Sequence, residues 1–251
     1  MLAHILARLT AVAPTRLKYA LADMRPLYLR VLRLGGSTVM VRLPGGTVRW
    51  QLDALTSQQH LLGTYEPYLQ AALARWVRPG DVVYDIGAHA GFHTLCAALL
   101  VGPSGQVIAF EPYPQNFRSL QRRLSLNPGL PARALEIAAS DRVAAVRMHG
   151  PGSSSQSYIA EAGAVLVAAR SLDDLVQTGV IAPPNLIKLD VEGHEAAVLC
   201  GALTTITAHR PVLLCDYNDA DTEALVRHAL GGLAYNVSPG PPVTAVPQVR
   251  P

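Results

Sequence analysis

The chain has 251 residues, half of them apolar, and a formal net charge of +3. That length admits one large α/β domain with a sizeable core. The charge is too small and too scattered to argue for a nucleic-acid partner, and no Lys/Arg cluster is interleaved with aromatics.

Residues 1–34 are apolar with interspersed arginines, and no run is long enough to span a bilayer. Two amphipathic helices broken at Pro14 are expected, suited to covering a sheet edge, forming a homodimer face or lining a substrate entrance. Residues 37–43 and 47–53 alternate around Pro44-Gly45-Gly46, a hairpin signal. Residues 65–76 read as a helix with Pro67 in its first turn. Glu66 is expected there as a charge favoured by the helix N-terminus rather than as a ligand contact.

Residues 82–86 form a short, partly β-branched apolar run, as a strand buried on both faces should. Gly87, Ala88, His89, Ala90 and Gly91 make a tight turn, and 92–101 read as a helix stopped at Gly102-Pro103. Residues 106–110 form a second strand ending in Glu111, and right-handed crossover makes the pair parallel. Gly87 and Gly91 let the backbone pass close to a bound molecule, and the new helix points free N–H groups at it. Glu111 can accept hydrogen bonds from both hydroxyls of a ribose. A dinucleotide fingerprint needs glycines where His89 and Phe92 stand. A ribose-bearing cofactor without phosphates, S-adenosylmethionine, fits better, and Asp85 and Glu111 strengthen the nucleoside reading.

Pro114 opens a helix to about residue 126, whose Arg118, Arg122 and Arg123 are expected on a solvated face. Residues 134–139 read as a third strand ending in Ser140-Asp141, and 144–149 as an extended piece. Residues 151–157 form a glycine- and serine-rich loop, either a connection or a flap over a substrate. Ser171 caps a helix start. Residues 186–189 are a buried strand whose Lys188 needs a carboxylate partner, followed by Asp190-Val191-Glu192-Gly193-His194-Glu195. A helix over 196–209, a strand over 212–215 ending in Asp216, a helix over 222–230 and a closing hairpin complete the chain. Cys96, Cys200 and Cys215 share no metal spacing and sit in apolar contexts, so reduced, buried thiols in a cytoplasmic protein are expected.

Strand and helix thus alternate as in a doubly wound, mostly parallel sheet with helices on both faces. Ligands of such sheets sit beyond the carboxyl ends of the strands. Asp85, Glu111, Ser140, Asp141, Asp190, Glu192, His194 and Asp216 all follow strand ends.

The segments DIGAHAGFHTL, VGPSGQVIAFEPYPQNF, AASD, SLDDL, IKLDVEGHEAAVLCGA and RPVLLCD resemble the FkbM family of S-adenosylmethionine-dependent methyltransferases in order and spacing. The resemblance covers residues 65–217. It implies a class I (Rossmann-like) methyltransferase domain over 65–251, with 1–64 as a helical and hairpin extension. It also implies O-methylation of a small hydroxyl-bearing acceptor, a sugar or polyketide moiety of a natural product. By that likeness, Gly87, Ala88, His89 and Gly91 hold the methionine part, Glu111 the ribose, and Ala139, Ser140 and Asp141 the adenine edge. Asp85, Pro112, Asn116 and Asp190 complete the expected cofactor site. The family commonly has asparagine where this chain has His89.

The sulfonium already activates the methyl group, so aligning a nucleophile behind it is the main task, worth on the order of 7–11 kcal/mol. Asp190 is the preferred group to orient or deprotonate the acceptor hydroxyl, with Glu192 and His194 next. Glu192 could instead favour the following helix N-terminus, and His194 could be a packed, hydrogen-bonded histidine. A divalent metal on Asp190, His194 and Asp216, or on His89 and His93, is the weaker reading, and no metal is expected. N-methylation, a cofactor-binding module without transfer activity, and a dinucleotide oxidoreductase stand as alternatives.

Overall fold

The computed structural model describes residues 36–150, 158–160, 162–216, 220–238, 240 and 242–248. The helices expected over 1–34 and the loop over 151–157 lie outside the described residues.

In chain order the elements are β1 (Thr38–Leu43), β2 (Gly46–Gln51), α1 (Gln58–Leu62), α2 (Pro67–Trp76), β3 (Val82–Ile86), α3 (Phe92–Val101) and β4 (Gln106–Phe110). There follow α4 (Pro114–Ser125), β5 (Ala132–Leu135), β6 (Ala138–Ala139), β7 (Ala144–His149), β8 (Tyr158–Ile159), β9 (Val165–Arg170) and α5 (Leu172–Gln177). The last elements are β10 (Leu186–Leu189), α6 (Glu195–Cys200), α7 (Leu203–His209), β11 (Val212–Cys215), α8 (Ala220–Gly231), β12 (Tyr235–Ser238) and β13 (Val243–Pro247).

Seven strands form the central sheet in the order β12-β13-β11-β10-β3-β4-β5. Strands β5, β4, β3, β10 and β11 run parallel, and β13 lies antiparallel to both β11 and β12. The fold is therefore the doubly wound, mostly parallel α/β class expected. Strand order reverses between β3 and β10, the place where ligands of such sheets bind.

Alternation along each strand divides the core into two layers. Val83, Val107, Leu186 and Leu214 face one way and pack with Trp50, Leu73, Leu95 and Val101 of the hairpin, α2 and α3. Tyr84, Ile108, Ile187 and Leu213 face the other way, against Val198, Ile206, Val226 and Leu230 of α6, α7 and α8. Asp85 and Lys188 fall in the first set by the same alternation, so two charges are carried into an apolar layer.

Several expectations are corrected. The third strand does not run over 134–139: β5 ends at Leu135, and Ala138–Ala139 joins a separate four-stranded sheet ordered β6-β9-β7-β8. Strand β9 went unread because Leu166, 62% exposed, breaks the apolar/polar alternation with an apolar residue on the solvent side. The helix over 196–209 is two helices. They part at Gly201, where a Cβ would lie 2.0 Å from the Ser140 carbonyl oxygen. Cys200 is exposed, unlike Cys96 and Cys215, because it sits at the outer end of α6.

Arg123 is not on a solvated face; it is 0% exposed. Asn116, Ser119, Leu120 and Arg123 share the buried stripe of α4, at the helical repeat. The guanidinium stacks 3.8 Å above the Trp50 ring. It donates to the Ala90 carbonyl at 3.0 Å, to Asp53 Oδ1 at 2.7 Å, to Gln51 O at 3.1 Å and to Thr56 Oγ1 at 3.2 Å. One cation therefore ties the hairpin and α4 to the turn after β3. Replacing Arg123 with Met strands those acceptors, and urea unfolding should report a loss of about 3 kcal/mol or more.

Candidate active site

The turn after β3 is built by contact with its neighbour. Gly87 has a φ of +77°, and a Cβ there would stand 1.7 Å from the Asp190 carbonyl oxygen, so no other residue fits. The Gly87 and Ala88 amides donate to the Phe110 carbonyl at 3.1 and 3.0 Å. His89 adopts a φ of +48°, and this orientation sends its amide to Glu111 Oε2 at 2.7 Å.

Glu111 is 4% exposed, yet one edge of it lines the cleft. Besides the His89 amide it accepts from the Tyr113 amide at 2.9 Å and Asn116 Nδ2 at 3.3 Å. Burial pushes its carboxyl up to about 7 against the pull of those three donors.

Lys188, 2% exposed, lies opposite Asp85 in the β10–β3 register. Its ammonium is 3.1 Å from Asp85 Oδ1, 3.3 Å from Asp190 Oδ2 and 2.9 Å from the Gly87 carbonyl. Burial works to discharge the lysine, but Asp85 and Asp190 outweigh it and hold the charged form. Burial likewise disfavours the Asp85 carboxylate. Lys188, His93 and the Thr94 hydroxyl, 2.5 Å away, leave its pKa below the ordinary range all the same. The carboxylate partner that Lys188 was expected to need is thus present twice.

A cleft of about 280 Å³ opens at this edge. Gly87, His89, Glu111, Pro112, Asn116, Asp190, Glu192 and His194, all expected at the site, line it together. Asp85, Ala88, Gly91, Ser140 and Asp141 do not. Asp85 is consumed by Lys188, and Ala88 borders a smaller cavity of about 20 Å³ behind the turn. Ser140 is buried and its hydroxyl meets His194 Nε2 at 3.0 Å, so His194 is a hydrogen-bonded histidine whose pKa burial lowers. Asp141 points outward to Arg142 at 3.0 Å. The wall beside β5 is instead formed by Ile137, Ala138 and Ala139. Met148, Tyr158 and Ile159 of the smaller sheet close the far side.

The residues missed in the sequence are those at the start of α2. Glu66 makes no side-chain cap to the helix; its φ of +43° swings the carboxylate into the cleft, 3.6 Å from His93 Nε2. Burial raises its carboxyl to about 7 against the lowering effect of the Tyr65 hydroxyl. Tyr65 and Tyr68 line the same cleft, and Tyr68 donates to Asp216 Oδ2 at 2.7 Å. A signal was available: a helix leading into a parallel strand runs opposite to it, so it must begin at the strands' carboxyl edge.

Among the described residues the cleft is lined by carboxylates and no lysine or arginine. That suits a cationic, phosphate-free nucleoside such as S-adenosylmethionine and does not suit a pyrophosphate.

The Methyltransferase FkbM domain matches residues 85–229. The chain is 31% identical over 123 residues to the hexuronic acid methyltransferase AglP of Haloferax volcanii, covering 48% of this chain and 49% of that protein. It is 26% identical over 164 residues to the 2-O-methyltransferase NoeI of Sinorhizobium fredii, covering 57% and 66%. Against the 31-O-demethyl-FK506 methyltransferase FkbM of Streptomyces tacrolimicus it is 28% identical over 197 residues, covering 64% and 74%. The chain thus spans about half the length of the first of these relatives. With the matched segment running from the end of β3 through most of α8, the chain belongs to the FkbM methyltransferase family.

Proposed function

We propose that the protein transfers a methyl group from S-adenosylmethionine to a hydroxyl of a neutral small molecule, a sugar or polyketide moiety. The observation that carries this reading is Glu111. A buried carboxylate, pinned by three donors at the end of β4, faces the cleft one strand from the Gly87 turn. A carboxylate has lone pairs for about four hydrogen bonds, so these three donors leave one, on Oε2, for a ribose hydroxyl.

When bound, S-adenosylmethionine supplies a methyl carbon to the acceptor oxygen as the carbon–sulfur bond breaks and its electron pair stays on sulfur. The chain's own residues position and deprotonate. Glu111 and Asn116 fix the ribose, and the apolar wall of Ile137, Ala138 and Ala139 takes the base. Asp190, held by Lys188 on one side and open to the cleft on the other, receives or orients the hydroxyl proton. Glu192 stands beside it, and His194 is steadied by Ser140. The relatives are named for a hexuronic acid, a 2-O position and 31-O-demethyl-FK506; the carboxylate-rich lining favours a neutral acceptor over an acidic one. The three free cysteines fit a reducing, cytoplasmic setting.

Titration calorimetry with S-adenosylmethionine tests the nucleoside site. Glu111→Ala should weaken binding by roughly 10- to 100-fold, as expected for hydrogen bonds to a charged group. Transfer is tested with isotope-labelled cofactor and a panel of neutral glycosides, hexuronates and macrolides. Asp190→Asn should leave cofactor affinity near wild type and slow turnover by on the order of 10²–10⁴-fold. Tight cofactor binding with no labelled product from any of the panel would favour a binding module instead.

A further inference from the structure

Glu66 is a carboxylate in the cleft to which nothing above gives a task. Its backbone is held in a left-handed conformation that L-residues rarely adopt, immediately before Pro67. The conformation is enforced from both sides. The Glu66 carbonyl accepts from the Leu69 and Gln70 amides, each at 3.1 Å, and the Gln70 side chain ties down the Tyr65 carbonyl at 2.6 Å. The carboxylate is thereby aimed over the turn after β3.

The charged and titratable groups around it come from every neighbouring element. They are Tyr65 and Tyr68 from its own segment, His93 from α3, Lys188 and Asp190 from β10 and its end, and Asp216 from the end of β11. The only full cation among them, Lys188, is already shared between Asp85 and Asp190 at 3.1 and 3.3 Å. His93 is fully buried and kept neutral, its pKa lowered to about 3 by burial and by Lys188. Among the described residues Glu66 Oε2 accepts no hydrogen bond, and neither His93 Nε2, 3.6 Å from it, nor His89 Nε2 makes one. A buried carboxylate oxygen without a donor asks for one that arrives with a ligand.

The strand order says which part of a ligand arrives there. Along the edge the cleft passes from the apolar wall beside β5, to Glu111 at β4, to Gly87 at β3, to Asp190 at β10. A nucleoside with its base on that wall and its ribose on Glu111 extends its 5′ substituent over Gly87 toward Glu66. In S-adenosylmethionine that substituent ends in an α-ammonium, a compact cation with three donors. We propose that Glu66 is the receptor for this ammonium group, selecting nucleosides that carry the amino-acid end over those that lack it. The proposal rests on the nucleoside reading of the cleft given above.

The test compares S-adenosylhomocysteine with methylthioadenosine by calorimetry. The two share adenine, ribose and a neutral thioether, and differ in the amino-acid end. Glu66→Gln, checked for an unchanged thermal midpoint, should lose roughly 10- to 100-fold in affinity for S-adenosylhomocysteine and about none for methylthioadenosine. A pH series adds a second readout. An ammonium favours the ionised carboxylate, and Glu66 in the free protein holds its proton up to about pH 7. Wild-type affinity for S-adenosylhomocysteine should therefore fall, relative to methylthioadenosine, by up to about tenfold per pH unit below that point, and the Gln variant should not show it. Glu111 titrates in the same range, but it faces the ribose common to both ligands and cancels in the comparison. Equal losses for both ligands, or a loss confined to S-adenosylmethionine and its sulfonium, would overturn the assignment. If wild-type protein bound none of these nucleosides, the methyl-transfer reading would fall first, and the role of Glu66 with it.

Discussion

The ion pair between Lys188 and Asp85 is the constraint on which the site depends. It bridges β10 and β3 where the strand order reverses, with both side chains almost wholly removed from water. Two buried charges in an apolar layer are unfavourable unless paired, and here Lys188 stands 3.1 Å from Asp85 Oδ1 while the Thr94 hydroxyl donates to Oδ2. The ammonium also holds the Gly87 carbonyl and one oxygen of Asp190. A single lysine thus sets the distance between the glycine turn and the Asp190 turn, the two walls of the cleft. The Cβ-forbidding contact between Gly87 and the Asp190 backbone is the steric side of the same closeness.

The far end of the glycine turn has its own anchor. Arg123 grips the Ala90 carbonyl as Lys188 grips that of Gly87. Because Arg123 is itself stacked on Trp50 and paired with Asp53, the hairpin and α1 segment become part of the mount for the turn. His89, strained between the two anchors, delivers its amide to Glu111 and so couples the turn to β4. Rigidity is concentrated where a small ligand must be held in one orientation for in-line transfer.

Much of this was legible in the chain. The run from β3 through the glycine turn to Glu111 could be read because a buried parallel strand is uniformly apolar and a close backbone approach demands glycine. Lys188 announced its need for a counter-ion by standing on a buried strand. Which carboxylate would answer could not be read, since that follows from the register Lys188↔Asp85, a fact about pairing rather than pattern. Arg123 was misjudged by charge, although its spacing from Asn116 and Leu120 marks the inner stripe of α4. Glu66 was read as a charge for the helix N-terminus because an acidic residue at a helix start has a sufficient local explanation, and the cleft it also lines is a matter of tertiary placement. The split of the third strand, and the smaller sheet that receives Ala138 and Ala139, depend on long-range ladders that no local period encodes.

Among the described residues that smaller sheet shares no ladder with the seven central strands, yet it supplies Met148, Tyr158 and Ile159 to the cleft. Within that segment, between β5 and α5, Ala138 and Ala139 form the wall beside β5 and Ser140 steadies His194, whereas Met148, Tyr158 and Ile159 take no part in the buried lysine cluster, the glycine bend or the arginine clamp. Drift at those three positions can re-cut what the enclosure admits and leave the charged scaffold intact, an economical route by which one framework diversifies its clientele.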